Sequence, residues 1–189
     1  MKILVVNDDS IHAPGIVLLA KAAMELGEVT VVAPANQCSA MSQRITIRGD
    51  MRVDKVQDFP VPVKAAYKVD GTPADCLKIA MQYLLEEKPD YVFSGINDGY
   101  NAGFDIAYSG TLGAAFEAVT FPETVCLSGF CPVSTFVCVS IYFTRMSFFL
   151  TNPVGNRKYC FIFRDRLKKI RISWLSRGRY WSSTITRAY

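Results

Sequence analysis

The feature that most constrains the fold is a series of short apolar runs separated by segments with helical periodicity. Lys2–Val6 and Glu28–Ala35 are rich in β-branched residues, and Gly15–Leu26 between them places its apolar residues at helical spacing. The alternation returns with a helix expected from Pro73 to about Glu87 and a strand over Asp90–Ser94. Buried strands that alternate with helices are typical of a parallel sheet covered on both faces. We therefore expect an α/β protein with a mostly parallel sheet.

Weaker patterns predict the remaining elements. Apolar residues at shorter or less regular spacing indicate strands that are more exposed, and a stretch rich in Gly and Asn indicates a long loop. On this basis we expect strands at Arg44–Arg48, Met51–Val56, Ala65–Val69 and Thr124–Leu127, a loop over Gly95–Gly110, and a helix over Thr111–Val119.

Polar residues follow three of the expected strands. Asp8 and Asp9 come directly after the first strand, Ser39 follows the second, and Asn97 follows the strand over Asp90–Ser94. Ligands of open α/β sheets bind beyond the carboxyl ends of the strands. We therefore expect these side chains to meet at one edge of the sheet and to form a site.

The adjacent carboxylates of Asp8 and Asp9 predict a cation at this site. Two neighbouring carboxylates repel each other, and Mg²⁺ or Mn²⁺ prefers oxygen ligands with negative charge. A solvated turn, in which an aspartate caps the following helix, is the alternative.

Ser109, Gly110 and Thr111 open the expected helix and predict a phosphate site. A helix start offers free N–H groups and a positive helix end, to which Ser and Thr add hydroxyls. The preceding segment 94–103 has three glycines and two asparagines, which suggests a backbone that approaches a ligand closely. The segment 71–76 (GTPADC) instead indicates a helix cap followed by proline in the first turn.

Charge divides the chain into two parts. Residues 1–121 carry 10 Lys and Arg against 15 Asp and Glu, a net charge of −5, whereas residues 122–189 carry 11 against 2, a net charge of +9. One compact domain rarely changes composition so sharply. We expect an α/β domain over residues 1–129 and an atypical basic and apolar segment over residues 130–189 that is poorly ordered.

Composition also bounds the setting of the protein. The six cysteines form no CxxC pair, and Met1 and Lys2 lead directly into a strand without the pattern of a signal peptide, so we expect reduced thiols in the cytoplasm. His12 is the sole histidine, which excludes a His-rich metal centre; we expect it to be structural. The uncharged stretch 124–144 has the length of a membrane span, but its Gly, Pro, Ser and Thr residues oppose that interpretation. The basic stretch 164–171 has the charge to contact nucleic acid or anionic lipid, but we expect a solvated or disordered tail, and the expected function requires no nucleic acid.

Five segments, in order along the chain, resemble the motifs of the survival-protein SurE family, whose members are metal-dependent nucleoside-monophosphate phosphatases. The resemblance covers about residues 1–121 and implies a three-layer, Rossmann-like sheet. The segments are NDDSIHAPGI (7–16), NQCSAMS (36–42), GTPADC (71–76), SGINDGYNAG (94–103) and YSGTLGAAFE (108–117).

The resemblance implies the roles of the site residues. Asp8, Asp9, Ser39 and Asn97 would hold one divalent cation per subunit, Mg²⁺ or Mn²⁺. From the chemistry of these groups we expect Asp8 or Asp9 to accept a proton from the attacking water. The substrate phosphate would be bound by Asn97, Ser109, Gly110 and Thr111. The implied activity is that of a phosphoric monoester hydrolase, a 5′- or 3′-nucleotidase that releases nucleoside and phosphate.

The chain departs from the family pattern in two ways. Ser10 and Ala40 stand where glycine is usual, and we expect the loops to tolerate both changes. From about Phe130 onward no family pattern is found, so the C-terminal part is interpreted as truncated or aberrant. Family members form homo-oligomers through a C-terminal arm, and this arm is expected to be missing here.

Two other functions remain open from the sequence. A non-catalytic protein with vestigial phosphate binding fits the basic and apolar C-terminal part. A phosphorelay receiver domain also opens with a strand that ends in acidic residues, but its phospho-acceptor would have to be Asp58, which follows no clean buried strand.

Overall fold

The computed structural model describes residues 1–99, 101 and 104–121, and beyond them the strands within 125–186. Its elements are β1 (Lys2–Val6), α1 (Pro14–Ala23), β2 (Glu28–Pro34), β3 (Val53–Lys55), β4 (Ala65–Val69), α2 (Pro73–Ile79) with a π-helical continuation (Ala80–Leu84), β5 (Tyr91–Asp98), α3 (Asp105–Tyr108), α4 (Gly110–Ala118), β6 (Val125–Cys131), β7 (Val137–Ile141), β8 (Lys158–Arg164), β9 (Lys169–Ser176) and β10 (Arg179–Thr186).

A mostly parallel sheet forms the centre of the fold. Its strand order is β3-β4-β2-β1-β5-β6-β7. The five central strands are mutually parallel; in sheet order they are β4, β2, β1, β5 and β6. The two outer strands, β3 and β7, are antiparallel to their neighbours. Because β1 lies between β2 and β5, its residue Leu4 stands opposite both Thr30 and Val92. The expected α/β fold is confirmed.

The two faces of β1 explain the layers. Successive side chains of a strand point to opposite faces, and all four residues from Ile3 to Val6 are at most 2% exposed. Leu4 and Val6 pack in a core with α2 and α4, whereas Ile3 and Val5 pack in a second core with α1. Each such buried side chain stabilises the fold by about 1.5–3 kcal/mol. The helices therefore cover both faces of the sheet.

Two predicted helices end earlier than their sequence pattern. The first was expected to reach Leu26 but ends at Ala23, where the N–H of Leu26 bonds the carbonyl of Ala23 in a tighter turn. Glu28 must then bond the carbonyl of Met1 to begin β2. The second, expected to reach about Glu87, leaves the helical conformation at Leu85.

The predicted strand at Arg44–Arg48 is wrong. These residues are irregular because the N–H and hydroxyl of Thr46 both bond the Asp75 carboxylate instead of a neighbouring strand. The strand expected over Met51–Val56 shortens to β3. The loop expected over Gly95–Gly110 holds the end of β5 and all of α3.

The later strands continue the sheet and form a second one. β6 runs past residue 129, and β7 pairs with it at the edge of the main sheet. β8, β9 and β10 form an antiparallel sheet of three strands. Part of the basic stretch, residues 165–168, lies outside the described residues. In the described part of the chain no helix has the length and apolar character to cross a membrane.

Candidate metal and phosphate site

Asp8 and Asp9 lie where the sequence predicts them, directly beyond the carboxyl end of β1. Asp8 is 4% exposed, whereas Asp9 is half-buried. β1 is flanked by β2 and β5, so the loops after both neighbours reach this point. The carboxyl edge of the sheet therefore gathers three of the predicted polar segments.

The hydroxyl of Thr111 connects two of the predicted cation ligands. It donates to Oδ1 of Asp8, and it lies 3.3 Å from Oδ1 of Asn97. Thr111 is fully buried in the first turn of α4. Asp8 and Asn97, which are far apart in sequence, thus share one contact at the start of this helix.

Asp9 is held from the other side of the site. The N–H of Asp98, at the end of β5, donates to Oδ2 of Asp9 at 2.9 Å. The side-chain amide of Gln37 approaches Oδ1 at 3.5 Å. The Asp9 carboxylate is therefore tied to the end of β5 and to the loop that follows β2.

Ser39 is the least engaged of the predicted ligands. It is exposed, and within the described residues its hydroxyl makes no hydrogen bond to Asp8, Asp9 or Asn97. Its loop is nevertheless attached to the site, because the N–H of Cys38 donates to the backbone carbonyl of Asp8 at 2.7 Å.

The start of α4 packs tightly against Asp8. The hydroxyl of Ser109 caps the helix by accepting from the N–H of Leu112 at 3.1 Å. A Cβ on Gly110 would lie 2.9 Å from Cβ and 3.0 Å from Oδ2 of Asp8. Glycine is needed here because any side chain would displace the carboxylate or the helix. The N–H of Gly110, the first residue of the helix, has no acceptor within the helix, which leaves it for an anionic group.

The GTPADC segment forms the cap that the sequence predicts. Thr72 and Asp75 exchange hydrogen bonds at the start of α2, with Pro73 in the first turn. Asp75 also binds Thr46, and the hydroxyl of Thr72 donates to the carbonyl of Arg44 at 2.5 Å. This cluster anchors the far end of the loop that carries Ser39.

The electrostatics of the site are dominated by Asp8. Burial raises the pKa of its carboxyl to about 6; hydrogen bonds from Thr111 oppose the rise, and the negative charge of Asp9 adds to it. The fold therefore keeps a carboxylate where its charged form is disfavoured.

The donor set fits a hard divalent cation. Asp8, Asp9 and Asn97 supply oxygens only, the chemistry that Mg²⁺ and Mn²⁺ prefer. The side-chain oxygen of Asn7 is also buried at this edge and has no hydrogen-bond partner in the described residues. No group of three His, Cys, Asp or Glu side chains in the described part could hold a metal, so a cation would need the neutral oxygens as well.

Both departures from the family pattern occupy unusual backbone conformations. Ser10 has φ 93° and Ala40 has φ 57°, in the left-handed region that favours glycine. Glycine is therefore the residue that these two turns would accommodate without strain. His12, two residues after Ser10, is exposed.

Sequence reasoning missed Gln37, Cys38 and Asp98 as parts of the site. Two of them act through a backbone N–H, which any residue except proline carries, so their identity holds no signal. The sequence also led us to assign Thr111 to the phosphate alone, whereas its hydroxyl contacts Asp8 and Asn97, two of the predicted cation ligands.

Comparison with known proteins identifies the family. The family model described as Survival protein SurE matches residues 3–130, more than half of the chain. This chain belongs to the SurE family.

Curated relatives of this SurE chain are named 5′-nucleotidase SurE. The protein of Alkaliphilus metalliredigens is 38% identical over 196 residues, which cover 99% of this chain and 77% of the relative. The protein of Geobacter sulfurreducens is 48% identical over 118 residues, which cover 62% of this chain and 43% of the relative. The protein of Pelobacter propionicus is also 48% identical over 118 residues, which cover 62% of this chain and 45% of the relative. The chain thus spans less than half the length of these last two relatives.

A solved structure shares the fold. The SurE protein from Aquifex aeolicus superimposes with a TM-score of 0.60 at 26% identity, covering 97% of this chain and 82% of that one. The three-layer arrangement is therefore that of the family.

Proposed function

We propose that this chain hydrolyses nucleoside monophosphates to nucleoside and phosphate with the help of one divalent cation. Its relatives are named 5′-nucleotidases, and the site supplies the groups such a reaction needs. The observation that carries the proposal is the Thr111 hydroxyl, which joins Asp8 and Asn97 at the start of α4. These contacts support the proposal because they link two of the proposed cation ligands to the first turn of the helix at which we propose phosphate binding.

The proposed cation ligands are Asp8, Asp9, Ser39 and Asn97. A bound Mg²⁺ or Mn²⁺ would neutralise phosphate charge and lower the pKa of a coordinated water toward neutrality. Among the described residues the Ser39 hydroxyl has no hydrogen-bond partner, which leaves it available as a ligand. The raised pKa of Asp8 supports the proposal, because a cation would relieve both its burial and its repulsion from Asp9.

The chain's own groups perform the remaining steps. Asp8 or Asp9 accepts a proton from the attacking water, whose oxygen forms a bond to phosphorus while the ester P–O bond breaks. The departing nucleoside oxygen takes up a proton. The hydroxyl of Ser109 and the N–H of Gly110, together with Thr111 and the Asn97 amide, stabilise the negative charge on the phosphoryl oxygens.

The test is phosphate release by the full chain from AMP and GMP, with Mn²⁺, with Mg²⁺ and after chelation. We expect release with a metal only, and Asp8→Asn should lower it by about 100-fold or more. Asp58→Asn is the matched control, since Asp58 is exposed between β3 and β4; it should leave the rate unchanged. Full activity of Asp8→Asn would refute the assignment.

Two additions distinguish the other functions. Release from 3′-AMP, measured beside 5′-AMP, tests the proposed dual selectivity. Labelling of Asp58 by acetyl phosphate would favour the receiver domain, and calorimetric binding of phosphate without turnover would favour a vestigial site. Sedimentation of the same sample tests the expected homo-oligomer.

A further inference from the structure

Two exposed aromatic side chains directly precede the proposed phosphate site. Phe104 is 91% exposed and Tyr108 is 63% exposed, although both are large apolar residues. Phe104 lies at the start of α3 and Tyr108 at its end, one residue before Ser109. Neither ring contributes to the described core clusters. Their exposure therefore has no explanation in the packing of the described residues.

The backbone that carries these rings is held in place. The N–H of Ala107 bonds the carbonyl of Phe104 at 3.0 Å, and the N–H of Ser109 bonds that of Asp105 at 3.0 Å. From the loop after β2, the N–H of Ser42 donates to the carbonyl of Tyr108 at 2.9 Å. The rings are thus exposed on a fixed frame, and ordering that frame would cost little when a ligand binds.

The spacing between Phe104, Tyr108 and the start of α4 suits a flat group that a sugar links to the phosphate. Phe104 and Tyr108 are four residues apart, which on a helix brings side chains to the same face about 6 Å apart along the axis. The Cα atoms of Tyr108 and Ser109 are consecutive and therefore about 3.8 Å apart. A phosphate at the start of α4 places the rest of its ester within reach of the aromatic side chains.

We propose that Phe104 and Tyr108 form a stacking surface for the nucleobase of the substrate. The inference rests on the proposed hydrolysis of nucleoside monophosphates and deepens it, since it assigns the part of the chain that recognises the base. Aromatic side chains stack on any base, so the surface selects nucleotides over small phosphate esters rather than one base over another.

The test compares AMP with ribose 5-phosphate, the same ester without its base. We expect Tyr108→Ala and Phe104→Ala to weaken calorimetric binding of AMP to the full chain by about 10-fold each and to leave ribose 5-phosphate within about twofold. The KM for AMP should rise in parallel, while kcat and the hydrolysis of ribose 5-phosphate stay unchanged.

Conservative variants separate stacking from other roles. Tyr108→Phe keeps the ring and should retain AMP affinity, whereas Tyr108→Leu keeps apolar area but should lose affinity as Tyr108→Ala does. Tyr83→Ala is the matched control, because Tyr83 is 78% exposed in the π-helical segment, away from α3. It should change neither ligand's affinity.

The outcomes distinguish the two proposals. Equal weakening of AMP and ribose 5-phosphate, or none, overturns the stacking surface even if both are hydrolysed. If the wild-type chain hydrolyses nothing, the proposed function fails, and the two binding constants alone decide on stacking. Loss of self-association in Tyr108→Ala, measured by sedimentation, without a change in AMP affinity would assign the rings to contact with a second copy and would also overturn it.

Discussion

The two edges of the parallel sheet hold charge in opposite ways. At the amino edge, Lys2 lies 2.5 Å from Glu87 and Lys64 lies 2.7 Å from Glu28, all on solvent-accessible side chains. Hydrogen bonding to Glu28 raises the pKa of Lys64. At the carboxyl edge, Asp8 is buried beside Asp9, and no cationic side chain pairs with it among the described residues.

The carboxyl edge, where we propose the site, differs from the amino edge by a buried carboxylate with a raised pKa rather than by a concave shape. A groove of about 210 Å³ lies at the amino edge, lined partly by Lys2, Glu28 and Lys64. The charges of Lys2, Glu28 and Lys64 are paired and accessible to water, an arrangement that contributes little to stability. The buried carboxylate of Asp8 is unfavourable in its charged form, and perturbed groups of this kind are typical of functional sites.

The largest expected effect contrasts one glycine at each edge. Gly110→Ala should lower metal-dependent phosphate release by about 100-fold, because a displacement near 1 Å at reacting groups has that effect, and its Cβ would lie 3.0 Å from Oδ2 of Asp8. Gly27→Ala, whose Cβ would lie 2.1 Å from the Met1 carbonyl, should lower thermal stability and leave the rate of the folded protein intact. Steady-state kinetics beside thermal unfolding measures both. Equal rates in the two variants would remove the distinction between the edges.

The next effect concerns Asp75, a carboxylate that the fold stabilises. Burial acts to raise its pKa, but hydrogen bonds from Thr46 and Thr72 outweigh it and lower the pKa below the ordinary 3.8. A pKa that is lower in the folded state adds stability above 3.8, and this stability is lost as pH falls through the folded value. Asp75→Asn should cost about 2 kcal/mol at pH 7.

Urea unfolding at a series of pH values checks this prediction. The stability difference between wild type and Asp75→Asn should shrink as the pH falls below 3.8. Asp50→Asn, an exposed aspartate before β3, serves as the control. A difference that is constant with pH would contradict the assigned role of the charge.

A smaller gain is expected at Ser10. Its φ of 93° is strained for a residue with a Cβ, so Ser10→Gly should raise the free energy of unfolding by about 1 kcal/mol after the entropic cost of glycine. Ser10→Ala keeps the strain and should bring no gain. Chemical denaturation of the three proteins decides, and a stabilising Ser10→Ala would show that strain is not the cause.

The smallest effect is expected at the amino edge. Lys64→Met removes the ion pair with Glu28 and should shift the midpoint of thermal unfolding by less than about 3 °C, because exposed pairs are weak and screened by salt. A larger, salt-sensitive shift would show that this edge also depends on its charges. Glu28→Gln tests the partner.

The sequence predicted the layers and most strands correctly. β1, β2 and β4 follow from local apolar patterns, and α4 was predicted within a residue at each end. The strand at Arg44–Arg48 failed because Thr46 bonds Asp75, a partner 29 residues away. The end of a helix also depends on the contacts of the next segment. The first helix ends before Leu26 because Glu28 must bond the carbonyl of Met1 to begin β2.

By itself, the sequence indicated which residues form the site, because Asp8, Asp9 and Asn97 each come after a run of apolar residues that is typical of a buried strand; the structure extends β5 through Asn97. Tertiary structure alone decided that Thr111 binds both Asp8 and Asn97, since Asp8 and Thr111 are 103 residues apart. It also decided that Phe104 and Tyr108 are exposed beside the start of α4. Exposure and contact depend on how strands pair across the sheet, and local patterns carry no record of that pairing.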